Sequence, residues 1–163
     1  MKILIVSPYF YPEGGGLENY AYNIAKGLAE KGHKITVLCA TKENNGKTET
    51  IDRIKVIREK PDIIISNTPV KLNLYLTISK LLEKEKFDLV IAHTPVPYYA
   101  DMACYASKKH NTPFFLTVHG LPKSQGILRI LSFVHGVIFE KSVHIHSKKI
   151  IAGSEYVANY LKN

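Results

Sequence analysis

Gly14, Gly15 and Gly16 stand between a short apolar run and a long amphipathic one. Glycine gives up backbone entropy and packs nothing, so three in a row answer either a sharp turn or a close approach to the backbone. If a strand precedes them and a helix follows, their N–H groups and the helix's positive end converge on one point. A phosphate or diphosphate fits there, because no Cβ stands in its way. A tight loop without a ligand accounts for the same residues. The spacing departs from two other phosphate cradles: GxGxxG needs a glycine at residue 19, where Asn19 stands, and no GK[ST] follows for a P-loop. His144 and His146 supply two metal-ligand types without a third at suitable spacing, and side chains two apart on a helix diverge, so no metal is assigned. Cys39 and Cys104 lie too far apart in sequence for a CxxC redox or zinc pattern and read as small buried apolar residues.

What positions these residues is an alternation of strands and helices. Lys2 to Ser7 is short, apolar and β-branched, as a strand covered on both faces should be. From Leu17 the apolar positions Leu17, Tyr20, Ala21, Ile24, Ala25, Leu28 and Ala29 repeat one helix face. Glu18 falls in that helix's first turn, where the dipole favours an acid, and Gly32 marks its end. Lys34 to Ala40 reads as a second strand, completing a parallel crossover. Residues 41–50 are polar, contain Asn45-Gly46 and read as a loop or tight turn; Ile54 to Ile57 reads as a shorter strand. Helices are expected over 72–86, 97–110 and, as one or two, 126–143, with strands over 88–93, 113–119 and 149–152. A last helix starts after Ser154 as N-cap.

This pattern predicts an α/β domain, a Rossmann-like parallel sheet with helices on both faces. Such sheets bind ligands beyond the carboxyl ends of their strands. The segments that matter are then 7–16, 93–97, 119–123 and 153–155. At 163 residues the chain fits one domain, and 45% apolar with 22% charged residues is ordinary for a folded protein. No apolar run reaches the roughly 18 residues of a membrane-spanning helix, and no signal peptide layout precedes the first strand, so a cytoplasmic location is expected. A formal charge of +8 favours an anionic partner, although solubility alone explains it as well.

The stretch YFYPEGGGLENYAYNIAKGLAEKGHKITVL, residues 9–38, resembles the opening of the GT-B glycosyltransferases of family 4. FDLVIAHTPVPYYADMACYASKKHNTPFFLTVHG (87–120) resembles the family's paired fourth and fifth strands, and SKKIIAGSEYVANYL (147–161) its strand ending in a serine at the cleft. The resemblance implies that Gly15 and Gly16 lie against the donor's diphosphate while Gly14 shapes the turn. It places the family's histidine on His119, at a strand's carboxyl end, to contact sugar or acceptor and assist proton movement; a histidine bonded to nearby backbone is the alternative. It also places Tyr9, Glu18, His93, Thr94 and Ser154 on the acceptor side. Many relatives carry His-x-His where this chain has Ile91 and His93, so His93 and Thr94 either touch ligand or position their loop. Tyr9 could equally pad its loop and Glu18 the helix dipole.

Family members have a second Rossmann-like domain with a Glu-x7-Glu pair, a spacing found nowhere in this sequence. Residues 1–163 are therefore expected to be the N-terminal, acceptor-side domain of a retaining enzyme. It would move a sugar from a nucleotide-sugar substrate to a glycan, lipid or small-molecule acceptor, with no metal or other cofactor, and need its C-terminal domain for transfer. A stand-alone, non-catalytic Rossmann-like binding module, or a partner-dependent subunit, is the alternative. The basic and apolar stretch 123–149 can lie on an anionic membrane surface, or be core, or meet the second domain. Nucleic acid is not an expected partner, since no recognition signature accompanies the charge.

Overall fold

The computed structural model describes residues 1–65, 67–94, 98–120 and 141–162. β1 (Lys2–Val6) leads through the glycine loop to α1 (Gly16–Glu30), and β2 (Lys34–Ala40) returns parallel to β1 with Ile3 opposite Ile35. β3 (Lys47–Ile51) and β4 (Ile54–Glu59) follow, then a separate ribbon of β5 (Ile63–Ile65) and β6 (Thr68–Val70). The chain continues through α2 (Leu74–Glu85), β7 (Leu89–Thr94), α3 (Tyr99–Lys109) and β8 (Phe114–Val118). α4 (Lys141–His146), β9 (Lys149–Ala152) and α5 (Glu155–Leu161) complete it.

Seven strands form one sheet in the order β3-β4-β2-β1-β7-β8-β9, parallel throughout except where β3 meets β4. Strand side chains alternate between faces. Ile3, Ile5, Ile35, Val37 and Ile91 therefore turn to one side, where Ala21, Ala25 and Ala29 let α1 close on the sheet. Leu4, Val6, Leu38, Val90 and Leu116 turn to the other, beneath α2 and α3. The result is the Rossmann-like α/β arrangement with helices on both faces.

Three expectations need correction or extension. Residues 41–50 are not loop throughout: Lys47 onward is β3, an edge strand whose polar alternation carries no apolar signal, joined to β4 through Asp52 and Arg53. Both of those have positive φ, 47° and 66°, as a two-residue hairpin turn requires. β4 runs on to Glu59, and the β5-β6 ribbon had no counterpart in the sequence reading. The helices expected over 126–143, and most of the 123–149 stretch, lie outside the described residues. Cys39 and Cys104 are both buried, and burial pushes their thiols up to about 12 and about 11.

Chain order reverses beside β1: β2 and β4 build outward on one side, β7, β8 and β9 on the other. The carboxyl ends of β1 and β7 lie side by side at that reversal, the position where sheets of this kind bind ligands.

Candidate functional site

The loop after β1 is held from several directions. Ser7 N–H donates to the Leu38 carbonyl at 3.1 Å and Ala40 N–H to that of Pro8 at 2.9 Å, so the first residues stay on β2. Phe10 is fully buried, and the Tyr11 ring stacks on Tyr22 of α1 at 4.5 Å. Arg58 of β4 reaches over with its guanidinium and donates to the carbonyls of Phe10, at 3.0 Å, and Tyr11.

The three glycines then take different tasks. Gly14 has φ +114°, and a Cβ there would stand 2.4 Å from Cγ of Glu18. Gly15 donates its N–H to Oε2 of Glu18 at 2.7 Å, so the helix's own first-turn acid occupies one donor of the loop. Around Gly16 an added Cβ would meet nothing within 4 Å. All three are exposed or nearly so. The open approach to the positive end of α1 is thus at Gly16. Gly14→Ala is expected to destabilise the protein by about 1–3 kcal/mol, through the positive φ and the displaced Glu18. Gly16→Ala should sit within about 0.5 kcal/mol of the parent in the same urea titration.

The histidines meet through strand register. β7 and β8 pair with His93 opposite Thr117, and His119, two residues on, returns to the same face. That is the face α1 covers, and the Tyr20 ring of α1 packs edge-on against His119 at 4.5 Å and His93 at 6.0 Å. Nδ1 of His93 lies 3.1 Å from Nε2 of His119, so one imidazole N–H donates to the other's bare nitrogen. His93 is fully buried, and desolvation, then the neighbouring His119, brings its pKa down to about 3. Desolvation lowers that of half-buried His119 too, against a smaller upward pull from Glu18. Both rings are neutral near pH 7. Among the described residues Nε2 of His93 has no partner. An unpaired buried N–H costs more than an unpaired lone pair, so the favoured tautomer puts the His93 proton on Nδ1, donating to His119. His119 then carries its own proton on Nδ1, beside Gly153, where a Cβ would come within 3.4 Å of that nitrogen. In this arrangement His119 is a neutral hydrogen-bond donor.

The other expected site residues divide. The Thr94 carbonyl accepts the His119 N–H at 3.2 Å and holds that strand end. The Ser154 hydroxyl accepts the Val157 N–H at 3.3 Å as the N-cap of α5, at the same end of the sheet. Tyr9 is buried in the core cluster under α2 and α3, with the Lys42 ammonium 5.3 Å from its ring centre. Glu18, His93, Thr94 and His119 therefore gather at one place, with Gly14 to Gly16 at the start of the helix that covers them. Gly153, which admits the His119 ring, falls in the expected 153–155 segment, while two contributors escaped the sequence reading: Tyr20, counted only as an apolar helix position, and Arg58. Alternation along β4 is the signal for the last, since Ile54, Val56 and Arg58 share the buried parity. Nδ1 of His146 hydrogen-bonds the Ser142 carbonyl at 2.6 Å, and among the described residues no three His, Cys, Asp or Glu side chains come together as a metal cluster would. No described helix is long and apolar enough to cross a membrane.

Comparison with known proteins agrees with the α/β fold. A family model described as Glycosyltransferase Family 4 matches residues 14–163. One subunit of the phosphatidylinositol N-acetylglucosaminyltransferase of Arabidopsis thaliana is 24% identical over 96 residues, which is 57% of this chain and 22% of that protein. Its namesake from Homo sapiens is 23% identical over 123 residues, 74% of this chain and 25% of its own length. The chain thus spans about a quarter of these relatives. Among solved structures, Acinetobacter baumannii MurG superimposes with TM-score 0.60 at 11% identity, over 93% of this chain and 40% of its own. Sucrose-phosphate synthase of Thermosynechococcus elongatus does so with TM-score 0.56 at 14% identity, over 99% and 44%.

Proposed function

The chain belongs to Glycosyltransferase Family 4, and from that premise we propose that it is the acceptor-side domain of a retaining glycosyltransferase acting on a lipid acceptor. The names of its relatives support an N-acetylglucosaminyl group as the sugar and a phosphatidylinositol-like lipid as the acceptor. The observation that supports the site assignment is the Tyr20 ring, on α1 one turn after Gly16, packing edge-on against His119 at 4.5 Å.

In the reaction, an acceptor hydroxyl oxygen bonds to the anomeric carbon, the bond from that carbon to the nucleoside diphosphate breaks, and the hydroxyl proton passes to an oxygen of the departing diphosphate. The amide at Gly16 and the helix dipole favour the departing diphosphate's negative charge. His119, held by His93, donates from Nδ1 to a sugar or acceptor hydroxyl and so orients it; being neutral, it adds no charge to the cleft. No metal is assigned to the reaction. A second Rossmann-like domain closes the cleft from the opposite side, and a Glu-x7-Glu pair in the sequence following Asn163 would identify it.

The test uses the protein with its second domain. His119→Ala should lower kcat roughly 10- to 100-fold with the donor dissociation constant within about twofold of the parent. Gly16→Val, whose Cβ would meet no atom within 4 Å, should weaken donor binding by about tenfold at an unchanged melting temperature. Full turnover in the first variant would remove His119 from the site, and full donor affinity in the second would return the glycines to a purely conformational role.

A further inference from the structure

We propose that the β5-β6 ribbon is a lipid-docking finger that seats the carboxyl end of the sheet on an anionic bilayer surface. Ile63, Ile64 and Ile65 are 46%, 57% and 52% exposed, and they are consecutive. Successive strand residues point to opposite faces, so apolar side chains stand bare on both sides of the ribbon. β5 and β6 pair only with each other, apart from the seven-stranded sheet. A single flat protein surface would cover one of those faces; a lipid interface encloses both. Opposite Ile64 stands Pro69, which has no N–H to offer a further strand on the β6 edge, and this disfavours a partner that binds by strand addition.

The neighbourhood continues the same chemistry. Leu72, 79% exposed, and Leu76, 56% exposed, lie four residues apart at the start of α2, and exposed Lys80 follows at the same spacing. Leu72 is tied to the ribbon's base, its N–H donating to Oδ2 of Asp62 at 2.8 Å. Lys71 offsets the charge of Asp62 at 3.1 Å, and exposed Lys60 and Lys80 outweigh Glu59, which lies close enough to feel both of that pair, so the base is positive, as a partner with negative headgroups requires. Three residues of strand span about 10 Å, which matches the about 5–10 Å depth to which interfacial elements enter a bilayer. The Tyr98 hydroxyl donates to the Lys71 carbonyl and anchors the ribbon to the segment after β7, at the carboxyl end of the sheet. Docking here presents the mouth of the site to the lipid. It stands apart from the proposed transfer reaction, because lipid binding needs neither donor nor turnover.

The experiment is co-sedimentation of the intact protein with phosphatidylcholine vesicles, with and without phosphatidylserine. Parent protein should bind the phosphatidylserine vesicles, and Ile64→Ser and the double variant Ile63→Ser, Ile65→Ser should each reduce the partition coefficient, the latter by about tenfold, at an unchanged melting temperature. Lys60→Glu with Lys80→Glu should weaken binding to the anionic vesicles only. Failure of the parent to bind, or equal binding by the isoleucine variants, overturns the proposal. So does a parent dimer that the variants dissociate in sedimentation velocity without any change in vesicle binding, which would give the patch to a second copy of the chain. Donor affinity measured on the same variants should match the parent, so a failed docking surface and a failed transferase reading give different results.

Discussion

Arg58→Ala is expected to cost about 3–5 kcal/mol of unfolding free energy, the largest effect of any single substitution considered for this molecule. The side chain is buried to 1% exposure and spends its donors on three acceptors at once. Nε donates to Oε1 of Glu49 on β3 at 2.6 Å, and Nη1 and Nη2 supply the carbonyls of Phe10 and Tyr11. Glu13 lies 3.7 Å from Nη1 and in turn accepts from the Thr41 hydroxyl at 2.8 Å and the Lys42 N–H at 2.6 Å. Removing the guanidinium therefore strands two carbonyls, takes the guanidinium countercharge from Glu13 and leaves Glu49 with Lys47 alone, at 3.6 Å. Arg58→Lys keeps the charge but cannot fork to three acceptors and should fall between the two. Urea unfolding measures both variants. A loss under about 1 kcal/mol in Arg58→Ala would mean that the clamp does not hold the loop. The functional consequence travels the same path: with residues 10–13 released, the glycines that follow lose their fixed place at the carboxyl end of the sheet, and donor affinity should fall in step with stability.

That clamp also shows where sequence reading stops. β1, β2, β7 and β8 were legible because apolar residues on both faces of a central strand leave an unbroken run, and β9, an exposed edge strand, because Ile150 and Ile151 are adjacent and β-branched. α1 was legible because its alanine stripe repeats at helical spacing. β3 was not, because an edge strand of Lys, Thr and Glu has only one paired side and no core to face. The β5-β6 ribbon was not, because three residues per strand, one of them proline, fall below any periodic signal. The glycine loop announced its type of chemistry, yet only coordinates separate the three positions: one forced by φ and Glu18, one donating to Glu18, one open. The histidine pair was invisible for a different reason. Nothing in a sequence says that residues 93 and 119 touch until the register of β7 against β8 is known. Arg58 stood in plain view, since a charged residue in the inward parity of a strand needs partners, but its partners came from a loop nearly fifty residues earlier.

The second large effect is on pH. His93 has a folded pKa near 3, against the 6.5 of an unperturbed imidazole. Its folded value is depressed, so the unfolded chain takes up a proton as pH falls below about 6.5 while the folded chain refuses it until about 3. Stability is fully present above about pH 6.5 and is lost on descending from there towards 3. At pH 5 the loss from His93 amounts to about 2 kcal/mol, and half-buried His119, shifted in the same direction, adds to it. Glu49, Asp62 and Glu85 are likewise held low, first by Arg58, the Leu72 N–H and Lys55 respectively. Their contributions disappear below their own unfolded values, near 4, outside the window from pH 7.5 to pH 5.0; Glu59, raised by burial, works against the histidines within it, so the comparison with a His93 variant isolates that residue. His93→Leu should lower stability at pH 7.5, because Nε2 of His119 loses its donor, but should shrink the difference between the two pH values by about 2 kcal/mol. An undiminished difference would show that His93 is not held neutral by its burial. The same variant reads the functional link, because without the His93 proton the His119 ring can exchange tautomers. If His119 orients a hydroxyl through Nδ1, turnover in His93→Leu should fall while donor affinity holds. His93 would then act as a positioning residue, working through the ring it fixes.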